Sequence, residues 1–443
     1  MSNDPCSYGQ DPMKTSFLLL LMGAILSGET QAYAANDPDG AASVLAAGTH
    51  SVPHTIDLSQ WHLVWQDEFD YENEGLDRNW ESQNGPSGHI LCSRWRENAV
   101  VADGLLYLIN KKEQRGGQEW TSGNLWTRRT FPYGYFECRY RYAAAHGTNN
   151  SFWLMTRGAA PARGKRFEID INEGHYPNEV NTNIHNWSDV SVGTDGTKTH
   201  PSFSQRFSYG VRPDYSVPLA APVTTRRIRL ISNNDAHFHI REFRIYSVTG
   251  GDYPPPLSEA ADRDTRRLRN YAKDPSARIT CSGVYNAGTK PQNAADGKLG
   301  TSWITQREGQ KWIEFEWPAA KTIGCIQFVN GWPREGVWEG LISDYTLQYH
   351  NGAAWVEIFA FDVANEVNFA EEYHTYGLQW NEREMVFYLD GTAIRQEKNE
   401  FCFSETPIWL SLAVIPWSGP VTDAIDGTTM TVDWVRYYQP KAQ

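Results

Sequence analysis

The chain has 443 residues with 40 Lys and Arg against 53 Asp and Glu, a formal net charge of −13. That length allows two or three domains with their own cores. The acidic balance disfavours nucleic acid or an anionic membrane as the main partner and, more weakly, a heavily sulfated glycan. Aromatic residues reach 13%, with 18 Trp, whose flat apolar faces either fill sheet cores or stack on sugar rings.

From the N-terminus, Lys14 precedes an apolar block from Phe17 to Leu26, followed by the small-x-small triplet Ala32-Tyr33-Ala34. Residues 1–34 therefore read as an export signal, with Met13 as an alternative start, and residues 35–55 as a flexible leader. The block is too short to anchor in a bilayer. The expected location is periplasmic, cell-surface or extracellular, with no membrane span. A start at Met13 removes Cys6 and leaves Cys92, Cys138, Cys281, Cys325 and Cys402. An odd set leaves at least one free thiol, and no CxxC or Cys/His metal spacing occurs. A pairing such as Cys92–Cys138 stays open in an exported chain; otherwise the cysteines read as core.

Short alternating runs bounded by Gly, Asn, Asp and Pro then dominate. Segments 105–110, 134–142, 226–232, 312–317, 344–350 and 385–390 read as strands, and no long helical periodicity appears. The fold class is all-β, with sandwiches as the natural solution. Within it, Glu168-Ile169-Asp170-Ile171-Asn172-Glu173 sets three acids at offsets 0, 2 and 5. Offsets 0 and 2 share a strand face, and offset 5 joins them if one residue is bulged out. Two carboxyls about 5–5.5 Å apart suit retaining cleavage of a glycosidic bond, and a third between them tunes their protonation.

The ordered set Trp65-Gln66-Asp67-Glu68-Phe69-Asp70, Glu97-Asn98-Ala99-Val100-Val101-Ala102-Asp103-Gly104, Tyr133-Gly134-Tyr135-Phe136-Glu137, Phe152-Trp153-Leu154-Met155, His374-Thr375-Tyr376-Gly377-Leu378-Gln379-Trp380 and Val432-Asp433-Trp434-Val435-Arg436-Tyr437-Tyr438 closely resembles glycoside hydrolase family 16. The resemblance implies a β-jelly-roll (concanavalin A-like) sandwich and the bulged catalytic run E-x-D-x-x-E. It casts Glu168 as nucleophile, Asp170 as its assistant and Glu173 as acid/base, with Glu168 ionised and Glu173 holding a proton. It puts Trp95, Trp153, Asn149 and Asn150 on the non-reducing side, His185 and Trp187 on the leaving-group side, and Trp417 on a late loop near the cleft. For His185 a buried, hydrogen-bonded role remains the alternative. Trp126, Trp409 and Trp434 read as core. No cofactor is implied for catalysis. A structural calcium on Glu68, Gly104 and Asp433 is implied by many members, although the same acids would serve as turn caps.

About 150 residues interrupt the family pattern, a domain-sized length. Segments around Ala294-Ala295-Asp296-Gly297, Trp303, Trp312-Ile313-Glu314-Phe315 and Tyr345-Thr346-Leu347-Gln348-Tyr349 resemble the front of a discoidin-like domain, similar to family 32 carbohydrate-binding modules. Segments 226–230 and 240–246 resemble its back, in reversed order. The expectation is a circularly permuted discoidin-like sandwich at 206–360, inserted between jelly-roll parts at 56–205 and 361–439, with its joint between Pro254 and Arg269. Trp303, Trp332, Trp338 and Arg334 fall where such modules can bind sugar. The stretch Glu173-Gly174-His175-Tyr176-Pro177-Asn178-Glu179 and the Asn-rich segment into His185 resemble the endo-β-galactosidase and mucin O-glycanase branch. That implies an oligo- or polysaccharide substrate, a host O-glycan or poly-N-acetyllactosamine, cut at internal β-1,4-galactosyl bonds. A laminarinase or algal galactan hydrolase is the enzymatic alternative, and a carbohydrate-binding protein without catalysis is the alternative of another class.

Overall fold

The computed structural model describes residues 54–158, 161–194, 196–233, 237–249, 252–258, 268–334 and 337–441. The expected signal segment, most of the leader and Cys6 lie outside these residues, as does most of the expected permutation joint. No helix among the described residues is long and apolar enough to cross a membrane.

Two sheets enclose the larger core. One runs Thr392–Lys398, Glu384–Leu389, His374–Trp380, Gly134–Arg141, Thr429–Pro440, Leu105–Ile109, Ala99–Ala102, with Trp61–Asp67 also paired to Thr429–Pro440. The other consists of β1 (Trp80–Ser82), β2 (Asn124–Thr127), β3 (Thr148–Met155), β4 (Phe167–His175), β5 (Glu179–Asn186), β6 (Gln205–Ser208) and β7 (Ile408–Val414), in the order β6-β5-β4-β3-β7-β2-β1. Strand alternation makes the layer. Phe152, Leu154, Ile169, Val180, Ile184, Leu410 and Leu412 point inward to meet Phe136, Leu378 and Val435 of the facing sheet. Their neighbours one step along each strand are left on the outer face.

Asp67 shows why the Trp65-Gln66-Asp67-Glu68 motif is needed locally. Its carboxylate is 3% exposed and accepts from the Phe69 amide, the Tyr71 hydroxyl, Asn79 Nδ2 and Trp80 Nε1. Four donors satisfy the buried group and tie the strand Trp61–Asp67 to the start of β1. The five described cysteines are all free. Cys138 lies in the main core, while Cys92 belongs to a satellite cluster with Trp120 and Val414, so the Cys92–Cys138 pairing is not formed.

After Ser208 the chain builds a second, smaller core before returning at His374. Its frame is a pair of long strands, Asp214–Ser232 and Lys311–Asn330, whose register breaks between Pro218 and Val223 and between Thr225 and Arg227. The breaks let one sheet fold over itself. His239–Ser247 pairs with 323–330, whereas Arg278–Cys281 pairs with 313–316 and Asp344–His350 with 228–231. Phe243 stacks on both Phe315 and Phe328, at ring separations of 5.1 and 5.8 Å, so a single ring bridges the two ends of Lys311–Asn330. The segments 226–232 and 312–317 expected from the sequence are only the ends of these strands; Pro218 and Pro222 fall at a register break, where a missing donor is tolerated. Trp303 is fully buried in this core and gives its indole N–H to the Gly283 carbonyl, so it is not a sugar-binding loop residue.

Candidate active site

The acid run lies on β4. Against β3, Phe152 faces Asn172 and Trp153 faces Asp170; against β5, Asp170 faces Asn183 and Glu173 faces Asn181. Between these pairs two residues of β4, Ile171 and Asn172, face one of β5, Thr182, which is a β-bulge. Ile169 and Ile171 both enter the core, and Asn172 also turns inward, its Nδ2 donating to the Tyr140 and Tyr142 hydroxyls at 2.6 and 2.8 Å. Glu168, Asp170 and Glu173 are left together on the outer face. Gly174 permits the close approach to the anchoring tyrosine, since a Cβ there would come within 2.2 Å of the Tyr142 ring.

Each carboxylate has its own partner. Trp187 Nε1 donates to Glu168 Oε2 at 2.9 Å, His185 Nε2 lies 3.1 Å from Asp170 Oδ2, and Asn149 Nδ2 donates to Glu173 Oε1 at 2.6 Å. Burial, then the Asp170 charge, pushes Glu168 well above the ordinary carboxyl range, with Glu173 adding to the rise and His185 and Trp187 opposing it. Burial, then Glu173, pushes Asp170 up as well, opposed by its hydrogen bond to Glu168. These are the two acids that sequence reading cast as nucleophile and assistant. Charging both in a partly dry site is costly, which favours the protonated form of each.

The floor beside the acids carries a row of indoles. Trp153 on β3 stacks on Trp409 of β7 at 4.5 Å, Trp409 meets Trp126 of β2 at 4.7 Å, and the Arg157 guanidinium covers Trp126 at 4.2 Å. Trp153 Nε1 donates to Ser411 Oγ and Trp126 Nε1 to Glu81. Trp126 and Trp409 therefore belong to the outer face, not to the core expected for them; in each the neighbouring residue, Leu125 or Leu410, is the one that turns inward. On the other side of the acids, Glu173, His175, Asn181, Asn183, Gln205, Arg206 and Trp417 line a cavity of about 180 Å³. Trp417 is 46% exposed, an apolar face open to solvent.

Several expected residues lie elsewhere. Asn150 is fully buried and faces the core, its Oδ1 accepting from the Ala143 amide and its Nδ2 donating to the Gly174 carbonyl. Adjacent strand residues cannot share a face, so Asn149 and Asn150 part company. Trp95 gives its indole N–H to Ser93 Oγ and lies under Arg115 at 3.8 Å. Trp434 is half-buried beneath Arg436, outside the main core. The donor set expected for calcium does not fit a cation: Glu68 accepts two hydrogen bonds from Arg436, and Asp433 is paired with Arg139. Gly104 adds only backbone, so an ion there would have to open two ion pairs.

Sequence reading missed His200, Ser411, Asn183 and Arg206. His200 Nε2 lies 2.8 Å from His185 Nδ1, and its ring stacks on Trp187 at 3.8 Å. It sits in an irregular stretch between Lys198–Thr199 and β6, where no periodicity could have placed it. Asn183 and Arg206 were findable in principle, as the outward residues of β5 and β6, had the pairing of those strands been known.

Comparison with known proteins finds a family model that matches the segments around this site. The family model described as glycosyl hydrolases family 16 matches residues 91–212 and 345–436, segments that include β2 to β7. A "Beta-glucanase" of Rhodothermus marinus is 36% identical over 141 residues, 28% of this chain and 48% of that protein. The "Clotting factor G alpha subunit" of Tachypleus tridentatus is 31% identical over 154 residues, 32% of this chain and 21% of that protein. The chain thus spans less than half the length of these relatives. Among solved structures, the laminarinase catalytic domain from Thermotoga maritima aligns at TM-score 0.44 and 15% identity, covering 86% of this chain and all of that one. A structure reported with work on endo-acting O-glycanases of the human gut microbiota aligns at 0.43 and 12%, covering 88% of this chain and 94% of that one. The matched segments carry the bulged acid run and the strands around it, and over these segments the chain is similar to the glycosyl hydrolases of family 16.

Proposed function

We propose that the chain is an exported, retaining endo-β-glycosidase. The observation that carries this reading is the bulged β4, which aims Glu168, Asp170 and Glu173 at one space on the outer face. In a double displacement, Glu168 attacks the anomeric carbon while Glu173 gives its proton to the leaving oxygen, and Glu173 then takes a proton from the water that releases the glycosyl-enzyme. Asp170 keeps a shared proton and donates it to Glu168 as a hydrogen bond, and the Trp187 N–H adds a second donor. Glu168 can then carry charge despite its burial. Trp153, on the strand beside the acids, supplies a stacking face for the sugars on one side of the cut, and the Trp417 cavity receives those on the other.

For substrate we favour internal β-1,4-galactosyl bonds of host glycans, mucin O-glycans or poly-N-acetyllactosamine. The support is the resemblance of the Glu173–Glu179 stretch and of the Asn-rich β5 to that branch, together with the amides Asn181 and Asn183 that line the cavity. A β-glucan substrate is the second reading, favoured by the match to a relative named Beta-glucanase. The smaller sandwich is, in this proposal, a permuted discoidin-like unit set into the jelly roll. Its support is that strands from 214–247 and from 278–362 share one core. Incubation with mucin, keratan, laminarin and agarose, with products sized by mass spectrometry, separates these readings. Galacto-oligosaccharides from mucin or keratan support the first, glucan fragments the second. No cleavage, with binding retained by both the native chain and Glu168→Gln, would instead mean a lectin.

A further inference from the structure

His200 touches both side chains that hold Glu168 and Asp170, though nothing in the proposed chemistry uses it. Its Nε2 is 2.8 Å from His185 Nδ1, and its ring lies 3.8 Å from Trp187 at an interplanar angle of 29°. His185 in turn presents Nε2 to Asp170 at 3.1 Å, and Trp187 presents its N–H to Glu168 at 2.9 Å.

We propose that His200 is a positioning residue that locks His185 as its Nε2–H tautomer and so keeps one donor aimed at Asp170. A neutral imidazole carries a single N–H, on one nitrogen or the other. With the shared proton turned toward Glu168, Asp170 Oδ2 is left as an acceptor, and an Nε2 lone pair facing it would oppose acceptor to acceptor, so the proton belongs on Nε2. His185 Nδ1 is then an acceptor, and His200 must be the donor through its own Nε2–H. Every hydrogen bond runs the same way, from His200 to His185 to Asp170, and the proton held between Asp170 and Glu168 carries the chain to the nucleophile. The titratable groups facing this chain are Glu168, Asp170 and Glu173 from β4, His185 from β5, and His200 itself. Burial holds His200 below the usual histidine range, which keeps it neutral at neutral pH. Stacking on Trp187 fixes the ring plane in which it donates.

The consequence for turnover rests on the proposed hydrolysis; the tautomer does not. The test is long-range proton–nitrogen NMR of histidine-labelled full chain at neutral pH, with His185→Gln used to assign the His185 ring. The native chain should show His185 protonated at Nε2. His200→Ala should move it toward Nδ1–H, and His200→Gln, whose amide still donates, should restore the native pattern. On the best substrate from the glycan panel, His200→Ala should lower kcat by about 3- to 10-fold, the worth of one hydrogen bond, with KM nearly unchanged. His200→Gln should recover most of that loss. A native His185 protonated at Nδ1 or at both nitrogens, or a His200→Ala chain with unaltered His185 resonances, overturns the proposal. Should no glycan be cleaved, the hydrolase reading falls while the NMR still decides this one.

Discussion

Replacing Glu168 by Gln should make the protein more stable at alkaline pH, although it removes the proposed nucleophile. The oxygens of Glu168 and Asp170 that approach His185 lie within 4.8 Å of one another. Two unit charges at that separation repel by about 3 kcal/mol at an effective dielectric of ~20. The native chain escapes part of this by holding a proton. Both carboxyls sit above their ordinary range when folded, so the folded chain binds protons more tightly than the unfolded one. Stability from that binding is complete below the ordinary carboxyl range and is lost as pH rises through the raised values. Gln cannot ionise, and its carbonyl still accepts from Trp187 Nε1. Relative to the native chain, Glu168→Gln should therefore gain about 1–2 kcal/mol near pH 8, or roughly 2–8 °C in Tm, with the gap closing near pH 4. Calorimetry of both chains at pH 4, 6 and 8 measures this. A variant less stable at pH 8, or a gap that does not change with pH, refutes the picture of a crowded, partly buried acid pair.

Further expectations concern the groups around that pair. Trp187→Phe removes a donor that favours the charged form of Glu168; its value rises further, and the acidic limb of the kcat/KM profile should move upward by about one pH unit. Asn149→Ala frees Glu173 from its 2.6 Å donor and should cut kcat on the order of 10-fold. One residue along, Asn150→Ala should instead destabilise the fold by about 2–3 kcal/mol, measured by urea unfolding, because two buried backbone groups lose their partners. Dialysis against EDTA should leave the Tm within about 1 °C, since Glu68 and Asp433 already hold arginines. A fall of several degrees would show that a cation displaces those pairs.

How far the sequence carries depends on whether a signal is local. The acid run is local: offsets 0, 2 and 5 demand a bulge, and the register of β4 against β3 and β5 contains one. All-β architecture was equally legible, because alternation and turn residues recur along the chain. Facing was less so. Asn149 and Asn150 looked interchangeable until β3 fixed which one turns outward, and Trp126 and Trp409 read as core because an indole carries no mark of its strand face. Long-range pairings were invisible. Neither the arginines that occupy Glu68 and Asp433 nor the contact of His200 with His185 could come from spacing, since each joins residues on elements whose pairing only the fold decides. The ionisation pattern turned on the same point: burial weighs first on Glu168 and Asp170, and burial is a property of the packed sheet.

The most direct test of hydrolysis by the β4 acids is the anomeric configuration of the first product, followed by proton NMR during cleavage of the glycan that the panel identifies. Double displacement through Glu168 gives a new reducing end that appears first as the β-anomer and only later mutarotates. An α-anomer formed first would mean that water, not Glu168, attacks the sugar, and the assignment of nucleophile to this carboxylate would fall.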